Sequence, residues 1–212
     1  MMIKRIKNLL KLNKKKSEEN VYANIDEMFS TLGVDELCIQ VGEDLIPFGE
    51  AICEKIQDLR KKLKDKTGLI IPPVRVIDNF DFQENEYQIK LRNKLVFTGF
   101  TVPTSDYATN EISRSLENAC MENLDIVMTN EMVEKYIECV QRNNGWLVWY
   151  LARLIPTTGI KVILTDLIRN GKSINDITYI FEKICEQATK VRDVYSIPDA
   201  HKIAETLNLE LK

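Results

Sequence analysis

Gly68–Arg92 reads GLIIPPVRVIDNFDFQENEYQIKLR. Gly68 follows a long charged stretch with helical spacing and suits the left-handed position just past a helix end. Pro72 and Pro73 deny the chain a helix, push Ile71 towards extended geometry and put Pro73 at the first residue of a strand. Val74 and Val76 alternate with Arg75, and Tyr87, Ile89 and Leu91 alternate with Gln88, Lys90 and Arg92, the period of a half-buried strand. Asp78-Asn79 and Glu84-Asn85 supply side-chain acceptors for a wide, ordered turn between them. The stretch therefore predicts a buried β-hairpin.

Upstream, Leu37, Ile39 and Val41 alternate with Cys38 and Gln40, which predicts a first strand. Ile52, Ile56, Leu59 and Leu63 then recur at helical spacing, with Lys55, Asp58, Lys62 and Asp65 elsewhere. Downstream, Leu95–Val102 predicts an edge strand. From there on the period is helical only: 106–127, a helix capped by Thr129 or Asn130, the apolar run Trp146–Ile155 stopped by Pro156, 158–170, 173–189 and about 198–207. Ser173 and Asp176 have the spacing of a capping box. The expected fold is α+β: a small mixed sheet lobe with packed helices (35–105), followed by an all-helical lobe (106–212). Residues 1–34 are expected to form a basic amphipathic segment, a linker and a short helix at Val21–Leu32.

At 212 residues the chain can bury about 70% of its unfolded surface. Five scattered cysteines without a CxxC pair favour reduced thiols and a cytosolic setting. Cys53, Cys120, Cys139 and Cys185 fall on or near apolar helix stripes and read as buried small hydrophobes. No apolar run approaches the length of a membrane span. Seven of the 29 basic residues lie within positions 1–16, which hold no acid. The remaining 22 face all 32 acidic residues, a formal charge of −10.

The strings PPV, DN and NEY, in that order, go further than periodicity. Gly68, Pro72, Pro73, Val74, Val76, Asp78, Asn79, Asn85, Glu86, Tyr87 and Ile89 together resemble the first cytoplasmic subdomain of the export-gate proteins of flagellar and virulence type III secretion, the FHIPEP (FlhA/SctV) family. Leu37–Phe48 and Trp146–Ala188 are similar to further parts of that family, so the resemblance covers about Leu37–Ala188. Pro72, Pro73, Asn85, Glu86 and Tyr87 read as mainly structural. In the family an additional subdomain follows the NEY strand. Here only a few residues separate Arg92 from the next matching run, Gly99–Val102, too few for a folded unit. The membrane half and a C-terminal subdomain are likewise expected to be missing.

The resemblance implies a cytoplasmic, non-enzymatic protein that acts through contacts with export substrates, chaperones or export apparatus, with weak self-association or a ring. The family's chaperone-docking cleft maps onto Asp78, Asn79 and Thr109, with half of the cleft gone. No catalytic, metal or cofactor motif stands out. The single histidine, His201, reads as solvated, and the acids Asp78, Asp81, Glu84 and Glu86 near Arg75 read as turn caps and a local ion pair rather than an acid–base pair. Trp146, Trp149 and Tyr150 read as a buried helix, with a partner interface as the alternative. The competing functions are a repurposed adaptor unrelated to secretion, a small-molecule enzyme using the acids just named, and a nucleic-acid binder. The acidic globular part and the lack of strand aromatics oppose nucleic acid.

On a helical wheel Ile3, Ile6 and Leu10 share one face of the N-terminus, and Lys4, Lys7 and Lys11 the other. This is the pattern of a helix lying on an anionic membrane surface, which would place the protein peripherally at the inner face of the cytoplasmic membrane. An arm packed on its own acidic domain, or a disordered one, accounts for the same pattern.

Overall fold

The computed structural model describes residues 33–191 and 197–211. The basic segment with Ile3, Lys4, Ile6, Lys7, Leu10 and Lys11, and the helix expected at Val21–Leu32, lie outside the described residues. Residues 36–212 form one compact unit. The fold is α+β, with a four-stranded mixed sheet and helices.

Strand β1, Leu37–Val41, is one of the sheet's two interior strands. It pairs in parallel with β2, Val74–Asp78, and antiparallel with β3, Glu86–Leu91, so that Ile39 faces Val76 on one side and Ile89 on the other. β4, Lys94–Phe100, adds to the far side of β3, and the order is β2-β1-β3-β4. The hairpin expected between Val74–Val76 and Tyr87–Leu91 therefore does not form, because β1 lies between the two. The reason is the helix α1, Gly49–Thr67, which carries the chain from β1 to β2. Its stripe Ile52, Ile56, Leu59 and Leu63 is buried, each side chain contributing about 1.5–3 kcal/mol. Laying that stripe on the sheet returns the chain parallel to β1, the usual outcome of a helical crossover.

The loop from β2 to β3 then passes over the end of β1. Gly42 N–H donates to Glu86 O (2.8 Å), Asp44 N–H to Glu84 O (2.9 Å) and Asn79 N–H to Val41 O (2.9 Å). A Cβ on Gly42 would sit 2.7 Å from Glu84 O, so only glycine lets the loop pass. The true hairpin is β3–β4, turned by Arg92 and Asn93 alone, both with positive φ (48° and 63°). That is the geometry of a two-residue primed turn. It leaves no room for a folded insertion between β3 and β4.

Gly68 caps α1 with φ 80° and donates to Lys64 O at 2.9 Å. It also sits against the Ile174–Asn175 backbone, which an added Cβ would meet at 2.7–2.8 Å. Ile174 N–H donates to Thr67 O there (2.8 Å), tying the sheet region to the later helices.

Among the described residues only helices follow β4: α2 (Ser105–Glu122), α3 (Leu124–Val127), α4 (Asn130–Gln141), α5 (Gly145–Leu154), α6 (Thr157–Arg169), α7 (Ile177–Val191) and α8 (Ala200–Glu210). The single helix expected over 106–127 breaks at Asn123, whose side chain donates to Ala119 O (2.9 Å). The expected Ser173 cap is displaced too. Ser173 Oγ accepts from Asn175 N in a turn, and Asp176 Oδ1 accepts from Tyr179 N, so α7 begins at Ile177. Thr129 caps α4 by accepting from Met132 N at 3.2 Å. No single helix among the described residues is long and apolar enough to cross a membrane.

Candidate protein-contact surface

The corner where β2 ends is built by Asn79. Its Oδ1 accepts from Asp81 N (3.0 Å), and its Nδ2 donates to Gln40 Oε1 (3.3 Å), which also accepts from Lys90 Nζ (2.7 Å). Asn79 is thus spent on holding the turn, and Asp78 beside it is exposed. The rigid turn presents Phe80, 71% exposed, between the exposed carboxylates Asp78 and Asp81. Sequence reading passed over Phe80 because it sits in a turn with no periodicity. An aromatic inside the polar run DNFD was the available signal.

Thr109 lies elsewhere in the chain's logic. It is buried on α2 and its hydroxyl donates to Asp106 O (3.3 Å). Among the described residues no hydrogen bond or ion pair joins it to Asp78 or Asn79. The structure brings two of the three expected residues to one corner and leaves the third inside a helix.

The residues of the family string are occupied by the fold. Pro72 is buried and Pro73 exposed just before β2. Asn85 O accepts from Thr101 N (3.1 Å). Glu86 accepts from Gln83 N and Gln88 Nε2. Tyr87 is buried, its hydroxyl 2.8 Å from Ser115 Oγ, and burial raises its pKa.

A second surface is the outer face of α5. Trp146 and Trp149 are 68% and 55% exposed, against the burial expected for them. Trp146 stacks on Tyr150 (centroids 5.3 Å, planes 12° apart), and the Arg153 guanidinium lies 4.8 Å from the Trp149 ring centroid. The buried side of α5 is Leu147, Val148, Leu151 and Leu154. That stripe already fills the core-facing arc, so the aromatics, with Arg153 among them, face outward.

Between α1, α4 and the turn before α7 lies a groove of about 250 Å³. Ile70, Met132, Cys139, Ile174 and Ile177 line it, with Lys64 and Lys135 at its edge. Tyr136 forms its floor. The hydroxyl donates to Gly68 O (2.7 Å) and accepts from Ile70 N (2.9 Å), and burial pushes its pKa up to about 12. Cys139 and Cys53 are exposed, contrary to the buried reading, because each sits one position off its helix stripe. Cys120 and Cys185 are buried, with thiol pKa values pushed up by burial to about 12 and about 11. His201 is exposed, its Nδ1 3.3 Å from Asp166 Oδ2.

The flagellar biosynthesis protein FlhA of Helicobacter pylori is 25% identical over 232 residues, an alignment covering 86% of this chain and 31% of that protein. FlhA of Bacillus subtilis is 33% identical over 88 residues, covering 36% of this chain and 13% of that protein. The chain thus spans about a third or less of these relatives. Among solved structures, CdsV of Chlamydia pneumoniae superposes with a TM-score of 0.70 at 18% identity, covering 82% of this chain and 64% of that one. The nonameric EscV cytosolic domain from a type III secretion system gives 0.65 at 16% identity, covering 84% and 66%. At such identities the superpositions establish the fold alone. The FHIPEP family model matches residues 2–113, more than half of the chain, and the chain belongs to the FHIPEP family.

Proposed function

We propose that this chain is a cytoplasmic component of a flagellar or type III protein-export apparatus, working through protein–protein contacts and without chemistry of its own. The family match over residues 2–113 carries this reading. The exposed aromatics agree with it, since Phe80, Trp146 and Trp149 are the residue types that anchor protein interfaces. A related protein, CdsV, has been solved in complex with CdsO, which makes a CdsO-like protein a candidate partner beside export substrates and chaperones. The nonameric EscV domain makes ring formation between the sheet lobe (35–105) and helical lobe (106–212) of neighbouring copies a second candidate contact.

Within the expected docking set, the proposal gives exposed Asp78 the direct contact with a partner, Asn79 the holding of the turn, and Thr109 the support of α2 from within. Binding of purified CdsO-like protein, chaperone and substrate to the immobilised full chain tests the proposal. Phe80→Ala with Asp78→Lys should weaken one of these interactions at least tenfold, roughly 1.4 kcal/mol. Absence of binding to all three classes would remove the export reading. Peripheral membrane contact through Ile3, Ile6, Leu10, Lys4, Lys7 and Lys11 belongs to the same proposal. Flotation with anionic vesicles, lost when the chain starts at Ser17, is the expected result.

A further inference from the structure

Among the described residues strand β4 ends the sheet, and nothing in its outer half guards it. Leu95–Val102, LVFTGFTV, holds no charge and no proline, the residues that usually blunt an exposed edge. Leu95, Phe100 and Val102 are 49%, 51% and 53% exposed. The irregularity where Ile89 gives way to Lys90 disturbs only the first part of the strand.

The hydrogen bonds tell which backbone groups are left over. Thr101 N–H donates to Asn85 O (3.1 Å), so by alternation Gly99 and Phe97 point their backbone groups at β3. Gly42 N–H donates to Glu86 O (2.8 Å), so Glu86, opposite Phe100, turns its own groups the other way, towards β1. It follows that the N–H and C=O of Thr98 and Phe100 point out at the free edge.

Charge chooses the occupant. The strand is entered through Arg92 and Lys94, and beyond its end the next charges are Asp106 and Glu111, with no cation before Arg114. A second copy running antiparallel sets Lys94 of one chain opposite Val102 of the other and Arg92 opposite Thr104, beside the α2 first turn that carries Asp106, twice by symmetry. A parallel copy would set like against like. We propose that two copies of this chain pair antiparallel through β4, joining their sheets across a two-fold axis near Thr98. Such a contact is self-complementary and closes at two copies, unlike the head-to-tail contact that builds a ring. It does not depend on the export role.

Sedimentation of the full chain over roughly 5–500 μM tests the pair. A monomer–dimer equilibrium is expected. Thr98→Pro removes an outward donor, a change an edge strand tolerates within its own sheet, and should weaken the dimer at least tenfold. Thr98→Lys should do the same, and serves where the proline variant fails to fold, folding being checked by circular dichroism. Lys94→Glu should weaken the dimer and Lys94→Glu with Asp106→Lys restore it. A strict monomer, an oligomer indifferent to both Thr98 variants, or no rescue by the charge swap would each overturn the proposal. The last outcome would point to a different strand, or a different surface, as the partner.

Discussion

The Pro72–Leu91 stretch and helix α5 divide the labour between scaffold and surface. In the first, the most distinctive residues are consumed internally. Asn79 holds its turn, Glu86 ties Gln83 and Gln88, and Tyr87 is bonded to Ser115. In the second, a blandly apolar run places Trp146 and Trp149 in solvent. A specific sequence string here marks demanding backbone geometry, and the groups free to meet a partner stand where the string is least distinctive. The comparison predicts that changes in the scaffold cost stability, whereas changes on α5 cost binding and leave stability alone.

Gly68→Val should have the largest effect. The position combines φ 80° with a backbone neighbour at 2.7 Å from any added Cβ. The left-handed strain and the overpacking together cost about 2–4 kcal/mol, measurable by urea denaturation. A loss below half that amount would mean that the Ile174 turn moves freely, and the scaffold is softer than described.

Tyr136→Phe comes next. It strands Ile70 N–H and Gly68 O, at a cost of about 1–3 kcal/mol. It also changes the alkaline limb. The folded pKa of Tyr136 is raised to about 12 from 10.0, so its contribution is fully present below pH 10 and is lost as pH rises through 12. The unfolded chain ionises first, and stability falls by at most about 1.4 kcal/mol per pH unit for this group. The variant should show a shallower decline between pH 10 and 12. Tyr87, Cys120 and Cys185, also raised, keep part of the slope.

The smallest effect on stability belongs to Trp146→Ser with Trp149→Ser. Both rings are more than half exposed, so the melting midpoint should move by no more than about 0.5 kcal/mol equivalent per site. A loss of several kcal/mol would show that the aromatic stack braces the helix, and would erase the contrast.

Much of the fold was legible because it rests on local period. β1, α1, β4 and the stripes of α2 and α4 follow from alternation or helical spacing. Strand pairing was not legible in the same way, since Val74–Val76 and Tyr87–Leu91 look alike whether they touch each other or both touch Leu37–Val41. The clue was present in α1, whose length makes a crossover, and a crossover implies a parallel neighbour. The break at Asn123 escaped notice because its apolar flanks continue the helical stripe. Of the expected contact residues, Asp78 could be placed from the turn it borders. The depth of Thr109 could not, because burial on a helix depends on what packs against it.

The turn at Arg92 and Asn93 has a consequence for how this architecture can change. Two residues with positive φ join strands whose pairing is secured elsewhere, by β1 on one side and by the Thr101–Asn85 contact at the far end. The hairpin therefore does not need its own tip. Opening that tip to admit more chain would relieve the left-handed strain at Arg92, and the closure cost grows only by about 0.6 kcal/mol for each doubling of loop length. The turn is therefore a socket at which added chain would leave the routing of the sheet unchanged.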